Sequence, residues 1–379
     1  MYYDRLSNKA PAWYVWVIVL WAMLVTWMLG QLALTSPFEP MLEAIDPETA
    51  ERANQLMYDA LTEDPVTALR LLIGIVIAGI GALLGFTALM VHYFGKRGKA
   101  SLVTGLIGVF MTLIGLVPIF MANGALAEGS TLLMSVIGLS PVAYMLMLLT
   151  FPAALVGLYA GWKYLHLRPI TALHTAWSHF RWKRVAQSFF IMWLVLGAYG
   201  LIMVALGKNP PTLVFDASRF LPFAIVSILL LPVQSATEEI VVRGYMNKGL
   251  VQLLGNKWVV FVLTSGLFAA LHLANPEAQA GADSGNLIIV MSGYFFFGFA
   301  ACLMVLIDDG LESAIGVHAA NNTFAAIFIN YENSVLPTPS IWQVKAEPTT
   351  DSITIILVLS VVLALLWVTR PKSRYLKSE

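Results

Sequence analysis

Apolar runs of about twenty residues alternate with short polar breaks along this chain, and that rhythm decides its class. The apolar segments lie at about 13–34, 66–94, 101–122, 141–166, 188–207, 220–248, 258–274, 287–307, 311–331 and 353–369. Most can cross ~30 Å of hydrocarbon at 1.5 Å per residue. In lipid a segment must satisfy its own backbone hydrogen bonds, so each should be helical. The pattern predicts an all-α, polytopic transmembrane helix bundle of about ten spans (eight to ten). Residues 124–140 are ambiguous and read either as apolar helix or as a re-entrant segment. The first run follows Arg5 and Lys9 but is too long for a signal peptide and lacks a small-residue cleavage site. It is read as a retained helix.

The polar breaks divide the chain further. Residues 1–187 hold the N-terminal helices, an acidic loop at 35–65 expected to be partly helical, and a basic stretch at 167–187. Trp177, Phe180 and Trp182 among the cations of that stretch suggest an interfacial amphipathic helix. Residues 188–331 form a core with polar groups inside its spans, and 332–379 give a last span and a basic tail. Gly74, Gly79, Gly81 and Gly85 suggest close packing between helices.

Composition agrees with a bilayer protein. The chain of 379 residues is 59% hydrophobic and 12% charged, against about 25% charged in soluble domains. Its mean hydropathy is +0.77. The net charge of zero gives no sign of a nucleic-acid partner, and the lone Cys302 excludes an intrachain disulfide and a cysteine metal cluster. With the N-terminus placed in the cytoplasm, 16 Lys and Arg fall on the inner side and 5 on the outer, with Arg243 inside a span. That is the positive-inside asymmetry. It predicts both termini in the cytoplasm, and a bacterial inner membrane fits.

Charged groups inside spans cost several kcal/mol, so they point to function. They concentrate in three late spans. The sixth carries Glu238, Glu239 and Arg243 in SATEEIVVRGYM, the seventh Phe268 and His272 in LFAALHL, and the ninth His318, Asn321 and Asn322 in GVHAANNTF. Glu239 and Arg243 are four apart, so one helix face can hold them as an ion pair. Glu238 is turned ~100° from Glu239, on a face shared with Gln234. His318 and Asn322, like Phe268 and His272, repeat the four-residue spacing.

These residue types permit hydrolysis. A carboxylate can take a proton from water, a histidine can support that water or protonate a leaving amine, and an asparagine can steady an oxyanion. Alternatively, Glu238, His272 and His318 could hold zinc, since two histidines and a glutamate are a known catalytic ligand set. Other protease chemistries fit less well. HExxH is absent, Ser292 lies in VMSG rather than GxSG, and Asp308-Asp309-Gly310 reads most simply as a turn. A non-enzymatic membrane protein, either a proton-coupled transporter or a scaffold or immunity protein, could use the same buried groups.

In order along the chain, Glu238-Glu239-xxx-Arg243, Phe268-xxx-His272 and His318-xxx-Asn322 resemble the EExxxR, FxxxH and HxxxN motifs of the CPBP family. These are the CAAX-protease and bacteriocin-processing (abortive-infection) intramembrane endopeptidases. The resemblance covers roughly 188–331. It implies an endopeptidase with Glu238 as water-activating base, His272 beside it, and His318 with Asn322 at the oxyanion. Glu239, Arg243 and Phe268 would be supporting residues. The family has been read as metalloproteases and as metal-free glutamate enzymes; the resemblance favours the latter, with no cofactor and zinc as the alternative. The implied partners are the bilayer and a membrane-associated protein or peptide substrate. As drawn, the seventh span puts His272 near its outer end, so convergence requires that helix to tilt or to start further inside.

Overall fold

The computed structural model describes residues 2–3, 12–94, 99–331 and 334–370. Arg5, Lys9, Lys96, Arg97, Lys372, Arg374 and Lys377, which carry much of the charge asymmetry, lie outside the described residues. Two compact units emerge: Pro11–Arg168, and Met1–Ala10 with Pro169–Glu379.

The first unit contains α1 (Trp13–Thr35), α2 (Phe38–Ile45), α3 (Pro47–Thr62), α4 (Pro65–Phe94), α5 (Lys99–Met134), α6 (Val136–Leu139) and α7 (Pro141–Tyr164). The acidic loop is helical, as expected in part. Its α3 starts at Asp46, whose carboxylate accepts from the Thr49 amide at 3.1 Å. The ambiguous stretch resolves as a continuation of α5 followed by the short α6.

Glycines make the α4–α5 contact. A Cβ on Gly81 would overlap the Thr112 amide nitrogen, one on Gly108 the Gly85 nitrogen, and one on Gly115 the Ala78 nitrogen. A Cβ on Gly74 would stand 2.7 Å from the Gly115 carbonyl. Lipid tails are as apolar as leucine, so helices in a membrane associate through such backbone-close packing. Gly79 differs, since nothing lies within 4 Å of its added Cβ. Gly115→Leu is therefore expected to destabilise the protein by about 1–3 kcal/mol through overpacking. Gly79→Leu should change stability by less than about 0.5 kcal/mol. Unfolding in detergent, followed for both variants, measures the difference.

The second unit begins with α8 (Thr171–His174) and α9 (Trp182–Ala205). A strand, β1 (Thr212–Leu213), precedes α10 (Ala217–Glu239), which runs on through a π-helical segment (Ile240–Met246) into α11 (Asn247–Leu254). Then come α12 (Lys257–Ala270), α13 (Pro276–Asp283), α14 (Leu287–Asp308) and α15 (Glu312–Ile327). The chain closes with β2 (Ile329–Tyr331), β3 (Trp342–Val344) and α16 (Pro348–Val368). The strands form a small sheet in the order β1-β3-β2, with β1 antiparallel and β2 parallel to β3.

Among the described residues, seven helical runs are long and apolar enough to cross a membrane. Shorter apolar helices at 103–119, 126–139 and 257–270 accompany them. The polytopic helical bundle expected from the sequence is thus the fold, and the protein is an integral membrane protein. The centre of the second unit is α15, buried from Glu312 to Ala320 and packed against α9, α10 and α14. At 16 residues it spans only ~24 Å.

Two expectations need correction. The 167–187 stretch is not one amphipathic helix: only Thr171–His174 is helical before α9 starts at Trp182. Two of its cations, Arg181 and Arg184, point into the protein. Arg184 pairs with buried Asp308 at 2.9 Å, and Arg181 with buried Glu312 at 2.8 Å. Buried carboxylates at the α14–α15 turn need those counter-charges. The Asp308-Asp309-Gly310 turn is real, with Asp309 left-handed at φ 52°. The seventh span is shorter than drawn. It ends at Ala270, and 271–274 form turns.

Candidate active site

α10 sets the two carboxylates on different faces, as the helical angle requires. Glu239 is fully enclosed, whereas the Glu238 side chain remains 23% exposed. Arg243 Nη1 donates to Glu239 Oε1 at 3.1 Å, which is the ion pair expected from the spacing. The guanidinium also donates from Nη2 to the Gly298 carbonyl at 3.1 Å and lies 4.5 Å over the Phe268 ring. Gly298 permits this approach, because a Cβ there would stand 3.3 Å from Nη2.

Arg243 sits in the π-helical segment. The Asn247 N–H reaches back to the Val242 carbonyl, an i→i−5 bond in place of the α-helical bond to Arg243. Such wide turns occur mostly as local bulges inside α-helices, frequently at functional sites. No sequence signal marked it.

His318, from α15, meets both carboxylates. Its Nδ1 donates to Glu239 Oε1 at 2.8 Å, and its Nε2 lies 3.8 Å from Glu238 Oε2. Glu239 therefore does more than neutralise Arg243: it fixes the His318 tautomer, so that Nε2 faces Glu238. The Glu239–His318 bond was not anticipated, since spacing within a helix cannot show which residue of another helix arrives.

Gln234 links the remaining polar groups. Its Nε2 donates to Glu238 Oε1, and its Oε1 accepts from Asn322 Nδ2 at 3.1 Å. Asn322 Nδ2 also donates to Ser235 Oγ at 3.2 Å, and Asn321 donates to Asn322 Oδ1 at 3.2 Å. Both amide hydrogens of Asn322 are thus engaged within the protein. Gln234 carried a sequence signal, its four-residue spacing to Glu238; Ser235 carried none.

His272 joins through aromatic packing. Its ring lies 4.6 Å from Phe268 and 4.6 Å from Tyr294, and its Nδ1 donates to the Phe268 carbonyl at 2.7 Å. That bond leaves Nε2 as the free ring nitrogen. The Phe268 and Phe297 rings meet the His318 ring edge-on at 6.2 and 5.0 Å. Tyr294 and Phe297 lie in the uniformly apolar run YFFFGFA, where no residue stood out.

The structure therefore gathers the residues singled out above into one neighbourhood, with His272 at its aromatic edge. Among the described residues, no three His, Cys, Asp or Glu side chains are placed to hold one metal ion. Glu238, His272 and His318 are thus not gathered as a three-ligand set in this arrangement. His318 and His272 each bond through Nδ1, to Glu239 and to the Phe268 carbonyl, which leaves Nε2 as the remaining ring nitrogen of both. Ser292 lends nothing to a serine dyad, since it is exposed and donates to the Ile289 carbonyl at 2.6 Å.

Residues 218–324 match the family described as type II CAAX prenyl endopeptidase Rce1-like. That match agrees with the resemblance of the sequence to the CPBP group. The Rce1-like segment runs from α10 into α15 and contains every candidate residue named above. The chain is also 30% identical over 183 residues to YyaK, an uncharacterized protein of Bacillus subtilis (strain 168). The match covers 48% of this chain and 60% of that protein. No solved structure matches the chain.

Proposed function

We propose that this protein is a glutamate-type intramembrane endopeptidase that hydrolyses a peptide bond of a membrane-associated protein or peptide. The observation that carries the reading is the division of labour between adjacent carboxylates. Glu239 is enclosed and committed to Arg243 and His318, while Glu238 is partly accessible beside the His318 Nε2. An acid kept partly open next to a fixed imidazole suits the activation of water.

In this reading Glu238 takes a proton from water as the water oxygen bonds to the scissile carbonyl carbon. The carbonyl π electrons move to oxygen. His318, protonated at Nε2 and balanced by Glu239, donates to that oxyanion. Asn322 adds a second donor by exchanging its Ser235 contact for the substrate oxygen. The intermediate collapses, the C–N bond breaks, and Glu238 returns its proton to the leaving amine. His272 offers its free Nε2 to the attacking water. No step in this reading is assigned to a metal.

The Rce1-like match supports a lipidated substrate near its C-terminus, and the charge asymmetry supports a site served from the cytoplasmic side of a bacterial inner membrane. The test is purified protein in liposomes with prenylated and unmodified peptides, products read by mass spectrometry. We expect cleavage of a membrane-bound peptide at undiminished rate in chelator. Absence of any cleavage by folded protein removes the peptidase reading. Loss of activity in chelator with recovery on zinc removes its metal-free form.

A further inference from the structure

The N-terminal residues Tyr2 and Tyr3 are each only 2% exposed and pack within the second unit, 171 to 307 positions from their hydrogen-bond partners in sequence. The Tyr2 amide donates to Asp309 Oδ1 at 3.0 Å, and its hydroxyl donates to the Leu173 carbonyl. Lys248 Nζ lies 3.1 Å from the Tyr2 ring centre and donates to the Tyr2 carbonyl at 3.1 Å. Tyr3 packs on Phe261, ring centres 5.5 Å apart.

The Tyr3 hydroxyl meets the backbone of the π-helical segment. Because the Asn247 N–H goes to Val242, it is withdrawn from the Arg243 carbonyl it would meet in an α-helix. The Tyr3 hydroxyl donates to that same carbonyl at 3.3 Å and accepts from Asn247 Nδ2 at 3.4 Å. One phenol thus binds the carbonyl the displaced bond leaves open and the side chain of the residue whose amide has moved. Gly244, in the same segment, approaches the Leu173 carbonyl that receives Tyr2: a Cβ on Gly244 would stand 3.2 Å from it. The tyrosine pair and the wide turn are built around each other.

We infer that Tyr3, anchored by Tyr2, is a positioning residue that holds the π-helical register of 240–246 and through it the Arg243–Glu239–His318 alignment. A register change from π to α would rotate the turn that carries Arg243 and draw its guanidinium off the Gly298 carbonyl and the Phe268 ring. Arg243 then holds Glu239, the carboxylate that orients His318, less firmly, and no candidate catalytic residue is lost. The structural part of this inference stands on the contacts alone; its effect on turnover rests on the peptidase reading.

The experiment compares wild type, Tyr3→Phe and Tyr3→Ala as full-length protein in detergent. Amide hydrogen exchange is read peptide by peptide, alongside kcat and KM per folded molecule. In Tyr3→Ala we expect exchange across 240–247 to accelerate more than tenfold while α14 is unchanged, with kcat falling at unaltered KM. Tyr3→Phe, which keeps the ring and loses the hydroxyl, should show the same local acceleration at smaller size. It also serves if Tyr3→Ala does not fold. Unchanged exchange across 240–247 in Tyr3→Phe and Tyr3→Ala overturns the inference whatever the activity. Local acceleration in a protein whose wild type cleaves nothing sustains the positioning role and removes the peptidase reading instead.

Discussion

Glu238→Gln should lower peptide cleavage roughly 10²–10⁴-fold, the range lost when a positioned general base is removed. The substitution preserves shape and an acceptor oxygen, so the Gln234 contact can persist while the ability to take a proton is gone. It also removes one of two adjacent negative charges, and folding should not suffer. The variant should insert, purify and unfold within about 0.5 kcal/mol of wild type. Single-turnover cleavage beside a detergent unfolding curve makes both comparisons. Retained cleavage in the variant would remove Glu238 as the base.

The second large effect falls on stability. Arg243→Met strips the fully buried Glu239 of its ion-pair partner, and removing one partner of a buried pair costs about 3–5 kcal/mol. The variant should accumulate poorly or unfold at much lower denaturant. Glu239→Gln added to Arg243→Met removes the stranded charge, and the double variant should recover much of the loss, since replacing both members of such a pair is often close to neutral. A double-mutant cycle measures the coupling. Activity should not recover, because His318 then lacks the carboxylate that fixes its tautomer.

The spans were legible because lipid imposes a length and a uniform apolarity that survive in the sequence. Trp13–Thr35, Pro141–Tyr164 and Leu287–Asp308 fall within a few residues of the runs that announced them. Contacts within one helix were equally legible: Glu239 with Arg243, Gln234 with Glu238, and Phe268 with His272 follow from four-residue spacing alone. What spacing cannot carry is the meeting of different helices. Glu239 with His318 and Gln234 with Asn322 needed the packed α10–α15 pair. The basic 167–187 stretch misled for a related reason: charge beside tryptophan suggests an interface until buried Asp308 and Glu312 are seen to claim the arginines. The π-helical segment left no trace, because its register is held by tyrosines at the far end of the chain.

The enclosure of α15 has a consequence for how this protein is made. A 16-residue segment carrying Glu312, His318, Asn321 and Asn322 is a poor candidate for independent partition into lipid as it leaves the ribosome. Its polar side chains find partners on α10 and on Arg181, and its Ala320 carbonyl accepts from Trp193 of α9, all already synthesised. Insertion of α15 is thus coupled to docking on helices already in place, and the candidate site is assembled late in biogenesis. Nascent chains that end before α15 carry Glu238 and His272 but no enclosed site.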